Sequence, residues 1–186
     1  MSNSRALPPP TEPVVVLTRD HAEAALAASR LSDRRRMILP FHKGDAAPLH
    51  RMLNALQPGT YVTPHRHLTV PKAELFVVLR GAVDALVFDE RGALTLVARL
   101  TAGGEAFGID IEAGNFHSFL VRAPDTLMYE VKEGPYSPLD DKDFAPWAPR
   151  EGAPGAAAYL AELEVRVERY RGSREMAPDG APKSTD

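Results

Sequence analysis

GTYVTPHRHLTVPKAELFVVLRG, Gly59 to Gly81, is the stretch that decides how this chain is read. His65 and His67 are separated by one residue, so on an extended strand both imidazoles point to the same face, about 6 to 7 Å apart along the backbone. Two imidazoles so placed can share one ion. Glu74 opens the next apolar run, ELFVVLR, after a loop containing Pro71, and there the chain can double back to set a carboxylate beside the pair.

On either side of this stretch the same rhythm continues. From Met37 to Val131, short runs rich in Val, Leu, Phe and Tyr alternate with Gly, Pro, Asp and Asn turn signals, the pattern of an antiparallel barrel or sandwich. The strand candidates are MILPFH, RMLNAL, TYVTPHRH, ELFVVLR, AVDALVFD, ALTLVARL, EAFGIDI with HSFLV, and TLMYEVK, about the number a jelly roll uses. Glu90, Arg91 and Gly92 make a hairpin turn between two of them. His117 begins HSFLV just after the turn EAGNF, on a strand expected to close the barrel, and is the most natural fourth ligand. Three imidazoles and a carboxylate suit one divalent transition ion, Fe, Mn, Ni, Co or Zn, better than Mg or Ca, which prefer oxygen shells.

The predicted organisation is a single domain over 14–171. Within it lie a barrel core over 37–132, a Pro-rich wrap over 133–155 and a C-terminal helix over 156–171. The segments 1–13 and 172–186 are polar, Pro- and Gly-punctuated, and expected to be disordered. VVVLT at 14–18 reads as a short strand. Asp20 with Glu23 reads as a capping box opening a short N-terminal helix from Asp20 to Leu31. Tyr136, Phe144 and Trp147 in the wrap are costly to leave in water and are expected to cover the barrel. In the C-terminal helix Tyr159, Leu163, Val167 and Tyr170 share one stripe, and Glu162 can pair with Arg166.

Bulk properties narrow the function. The chain has 186 residues, 44% hydrophobic, 25% charged, with a formal net charge of -3, which suits a globular protein and does not mark a nucleic-acid-binding surface. It has no cysteine, so disulfides, thiolate metal sites and a cysteine nucleophile are excluded, and a reducing cytoplasm is compatible. Unbroken apolar runs such as Leu75 to Leu79 are far short of the ~20 residues of a membrane span, so no membrane partner is expected.

Gly59, His65, His67, Glu74 and Gly81 follow the first sequence motif of the cupins, and this part of the chain resembles that superfamily. The spacer between His67 and Glu74 is longer than usual, so its loop must bulge. EAGNFH resembles the second cupin motif, with Gly114 and His117 in place, but Glu112 stands where proline is usual, Val121 where asparagine is usual, and Ala106 where the motif opens on glycine. A narrower likeness, carried by RMLNALQPGTYVTPHRH, ELFVVLRG and above all YEVKEGPYSPLDDKDFAPWAPREG, is to the WbuC-type cupin fold metalloproteins. The resemblance implies an all-β fold, a cupin-type antiparallel β-barrel (double-stranded β-helix or jelly roll) with a short helix near each end. It also implies a bacterial protein associated with surface-polysaccharide synthesis, whose reaction is not well defined.

Other residues have plainer readings. Tyr61 shares strand parity with the histidines, so its phenol can face the cavity and move a proton, although Pro64 can interrupt the alternation. Glu130 and Lys132 lie on TLMYEVK, where alternation does not say which parity faces inward. Arg66 and Lys72 read as a solvated face, and His21, His42 and His50 as non-catalytic. Gly59, Gly81, Gly92 and Gly114 read as turn residues. A triad of Ser118, His117 and Asp110 is rejected because neighbours on a strand point to opposite faces. The expected function is metal-dependent chemistry on a small polar molecule, a sugar or sugar nucleotide, in a homodimer. The alternatives are a non-catalytic metabolite-binding cupin with a structural metal, and a metal-independent cupin resembling the sugar-nucleotide epimerases.

Overall fold

A computed structural model describes residues 5–137 and 141–175. Helix α1 (Arg19–Leu31) comes first. It is followed by β1 (Arg36–Pro40), β2 (Leu49–Leu56), β3 (His65–Arg66), β4 (Glu74–Arg80), β5 (Ala82–Phe88), β6 (Leu94–Thr101), β7 (Gly108–Ile111), β8 (Phe116–Val121), β9 (Thr126–Glu133) and β10 (Asp143–Phe144). Helix α2 (Ala156–Glu175) ends the described chain. The strands form two antiparallel five-stranded sheets, β1-β2-β9-β4-β7 and β10-β3-β8-β5-β6.

Alternation sorts side chains into three apolar layers. Between the sheets, Leu56, Phe76, Val78, Ile111 and Met128 of the first meet Val83, Ala85, Leu100, Phe119 and Val121 of the second. Outside the first sheet, α1 lays Ala25 and Leu26 on Leu39, Leu53, Ala55 and Leu127. Outside the second, Leu163 and Val167 of α2, both 0% exposed, pack on Leu86, Phe88, Phe116 and Leu120. Burying each such side chain stabilises by roughly 1.5 to 3 kcal/mol. Because β8 is covered on both faces, all six of its residues are buried.

Several local readings shift. VVVLT at 14–18 forms no strand. The helix cap falls on Thr18 with His21, two residues before the expected box. Only His65 and Arg66 of TYVTPHRH pair in a ladder, since Pro64 has no N–H to donate. EAFGIDI and HSFLV are separate strands in different sheets. The segment before α1 is tied to β1, with Ala6 bridged to Ile38 and the Leu7 N–H donating to the Ile38 carbonyl at 2.8 Å. Helix α2 runs past Gly172 to Glu175, while the rest of the expected disordered tail lies outside the described residues. Within the Pro-rich segment, Trp147 packs on the second sheet, 5.1 Å from Phe88 and 5.9 Å from Phe116, ring centre to ring centre. Pro138 to Asp140 lie outside the described residues.

Candidate metal centre

Four of the residues singled out by sequence meet between the sheets. His65 stands opposite His117 in the β3–β8 ladder, and their rings are 4.6 Å apart. His67, just beyond β3, lies 5.4 Å from His65 by ring centres. Glu74 opens β4 with the parity of Phe76 and Val78, so it faces inward from the other sheet. One ligand atom each from His65, His67 and Glu74 lies within 4.8 Å of the others. His117 joins from the far side of the carboxylate, its Nε2 2.9 Å from Glu74 Oε2, while His67 Nε2 is 3.1 Å from Oε1. All four side chains are 2–3% exposed.

Backbone carbonyls fix which ring nitrogen carries the proton. His65 Nδ1 lies 2.9 Å from the Thr63 carbonyl and His117 Nδ1 3.0 Å from that of Asn115, while His67 Nδ1 meets the carbonyl of Asp141. A carbonyl only accepts, so each Nδ1 donates, and in a neutral ring Nε2 is left as a lone pair. Those lone pairs of His67 and His117 then face carboxylate oxygens, acceptor against acceptor. His67 Nε2, His117 Nε2 and Glu74 Oε2 are buried and lack a hydrogen-bond partner among the described residues. Leaving such atoms dry is costly, and a cation between them removes the cost. The charge states match: burial, with the charges of Lys142 and His117, holds His65 well below the usual imidazole range. Burial would push Glu74 up, but hydrogen bonds from the His117 and His67 rings, when their Nε2 atoms carry a proton, bring it well below the usual carboxylate range, and a cation in place of those protons acts in the same direction. A neutral imidazole and an ionised carboxylate are what a metal requires.

The long spacer is closed by residues that follow the barrel strands. The Asp143 carboxylate accepts from the N–H groups of Leu68 at 2.8 Å and Thr69 at 2.9 Å. Lys72, expected in solvent, is 3% exposed and donates to Asp141 Oδ1 at 2.7 Å. Lys132 donates to Asp141 Oδ2 at 2.9 Å and lies 3.9 Å from Glu74 Oε1. Asp141 thus holds His67 by its carbonyl and two buried ammonium groups by its carboxylate. Glu130 faces inward as well, accepting from Asn54 Nδ2 at 2.8 Å. Its burial and the nearby Glu74 push its carboxyl up, against the pull of Lys132 and Lys142.

Tyr61 is not brought to the imidazoles: its hydroxyl donates to the Pro149 carbonyl at 2.7 Å, and its ring packs edge-on against Tyr159. Of the remaining histidines, His42 and His50 stack on each other at 3.9 Å, and His21 sits at the start of α1. Ser118 donates to the Val62 carbonyl on the face opposite His117, as expected from alternation. Sequence reasoning passed over Asp141, Lys142 and Asp143. The string DDKD, charged within a Pro-rich and aromatic stretch, was the one available signal.

A family described as a domain of unknown function (DUF6016) matches residues 17–100, which include His65, His67 and Glu74 but stop short of His117. No curated protein matches the chain in sequence. Among solved structures, L-ribose isomerase from Cellulomonas parahominis overlaps with a TM-score of 0.50 at 19% identity, over 61% of this chain and 70% of the isomerase. KdgF from a Halomonas species overlaps with a TM-score of 0.41 at 19% identity, over 55% of this chain and 79% of its own. The cupin domain of Cnp3 from Schizosaccharomyces pombe gives 0.41 at 13% identity, over 54% and 65%. At such identities the likeness is one of fold alone. With its two antiparallel sheets, a helix outside each, and the isomerase's architecture, the chain has a mostly-β, cupin-type fold.

Proposed function

We propose that this chain binds one divalent transition-metal ion through His65, His67, His117 and Glu74 and uses it on a small polar, sugar-like molecule. The observation that carries the proposal is that the buried Nε2 atoms of His67 and His117 are turned onto the Glu74 carboxylate at 3.1 and 2.9 Å without a hydrogen-bond partner among the described residues. The ion, when bound, supplies Lewis acidity toward a carbonyl or hydroxyl, or activates water or O2. Glu74 balances part of its charge, the three carbonyl-anchored rings fix its direction of approach, and the raised carboxyl of Glu130 is placed to hold or move a proton. The L-ribose isomerase neighbour and the WbuC-like strings support a carbohydrate substrate in surface-polysaccharide metabolism. We place the protein in the cytoplasm as a homodimer. The cysteine-free sequence is compatible with that compartment, and exposed Leu75, Leu79 and Phe107 on and just before the paired strands β4 and β7 support the dimer. No helix among the described residues is long and apolar enough to cross a membrane.

A second reading, a binding module in which the metal only braces the fold, draws on the burial of all four ligands. Elemental analysis of the untagged protein tests the metal itself. About one equivalent of a transition metal is expected, lost in His117→Ala and after chelation. An ion at 100 times its Kd stabilises by roughly 2.7 kcal/mol, so metal removal should lower Tm measurably. Sub-stoichiometric metal that addition does not restore would sink the proposal. If chelation lowers Tm while sugar binding persists unchanged, the bracing reading replaces it.

A further inference from the structure

Two lysines flank the metal centre, one from each sheet. Lys132 stands opposite Glu74 in the β4–β9 ladder. In the β10–β3 ladder Phe144 stands opposite His65 and Asp143 opposite Arg66. One further step sets Lys142 opposite His67, with the parity of Phe144, whose ring lies 6.1 Å from that of His65. Lys142 therefore shares the inner face with both histidines, and its charge is felt by His65, Glu74 and Glu130 alike.

The charges in this space do not balance once an ion is bound. The fixed anions are Glu74 and Asp141, and Asp141 is already shared between Lys72 and Lys132. Glu130, even when ionised, adds only one negative charge. A divalent cation brings two positive charges and Glu74 returns one, leaving an excess beside Lys142. That ammonium has no hydrogen bond or ion pair to a described residue, and burial together with repulsion from Lys132 pushes its pKa down despite the nearby carboxylates. Unlike the four ligands, Lys142 is only partly buried. A half-buried cation without a partner is costly, and an anion relieves it.

We infer that the small molecule taken at this site is an acid, a carboxylate or phosphate ester whose anionic oxygens span the bound ion and Lys142. The inference rests on the metal reading above, and Lys142 acts in it as a specificity-determining residue. A neutral sugar offers nothing to Lys142 beyond a hydroxyl.

The test titrates the metal-loaded full chain with glucuronate, glucose 6-phosphate and glucose by calorimetry, beside Lys142→Met and Lys142→Arg, with metal content measured for each protein. At least one acid should bind about tenfold or more tightly than glucose, as a charge-assisted contact allows. Lys142→Met should erase that preference with metal content unchanged, and Lys142→Arg should restore it. The two acids distinguish a carboxylate site from a phosphate site. Equal binding of acids and glucose, no acid binding to the loaded chain, or a preference that survives in Lys142→Met overturns the inference and leaves the metal reading standing. Loss of metal from Lys142→Met makes the lysine a support for the ion and also overturns it. A chain that takes up no metal overturns both.

Discussion

At the scale of single residues, Asp141 shows how the proposed metal site is held from outside its candidate ligands. Its carbonyl fixes the His67 ring, and its carboxylate takes Lys72 and Lys132 at 2.7 and 2.9 Å. Asp141→Asn leaves two buried lysines sharing a neutral amide, which frees the segment that orients His67. Metal affinity should fall about tenfold to a hundredfold, the usual cost of losing a group that orients a ligand, while Tm in chelator moves less than Tm in metal. Equal metal affinity in the variant would show that the carbonyl stays in place without the ion pairs. The gathering of His65, His67, Glu74 and His117 was legible in sequence because an HxH pair on a strand obeys a period of two and the motif spacing brought in Glu74 and His117. Asp141 and Lys142 were not legible, since they lie in irregular chain where no periodicity applies. For Glu130 and Lys132 the strand was recognised, but parity without a known inner face is two-valued. Tyr61 shows the opposite error: parity was extended across Pro64, where the pleat does not continue.

At the scale of elements, the tightest joint is the turn between β4 and β5. Gly81 adopts φ +76, and a Cβ there would lie 2.4 Å from Thr126 Oγ1 and 2.9 Å from the Thr126 Cα. The Thr126 side chain is itself engaged, donating to the Ala123 carbonyl at 2.7 Å, and its backbone is fixed by β9. Neither the angle nor the space suits an L side chain, so Gly81→Ala should destabilise by about 2 kcal/mol or more in denaturant unfolding. A loss below about 0.5 kcal/mol would mean that the turn relaxes freely. The glycine of the motif is thus explained by backbone geometry, as a turn residue. Long alternating strands such as β2, β5 and β9 were readable to within a residue or two. The two-residue strands β3 and β10 were not, because their pairing is imposed by neighbours and leaves no local signal. EAFGIDI and HSFLV merged in the reading because β8 is buried on both faces and shows no alternation.

At the scale of the molecule, the layers divide the work: the space between the sheets holds the proposed ion site, while the outer layers hold the helices. Asp84 makes this division testable. It lies on β5 between Val83 and Ala85 of the inner core, so it points outward, where its carboxylate, 0% exposed, meets Arg99, Arg122 and Arg171 of α2. Burial would raise its pKa, but the hydrogen bonds from Arg99, Arg171 and Arg122 outweigh it and lower it below the ordinary 3.8. A depressed carboxyl stabilises the fold fully above its unfolded value and loses that contribution as pH falls through the lower folded one. Asp84→Asn should therefore cost about 3 kcal/mol near neutral pH, toward the low end for a broken buried pair because the arginines are 17–46% exposed and can turn to water. The deficit should shrink below about pH 4, where the native carboxylate begins to lose its advantage. Hydrogen exchange should quicken in α2 while metal content stays at the wild-type value, because nothing on the inner face has changed. If the variant instead loses its metal with its helix packing intact, the two layers are coupled through β5 and the division fails.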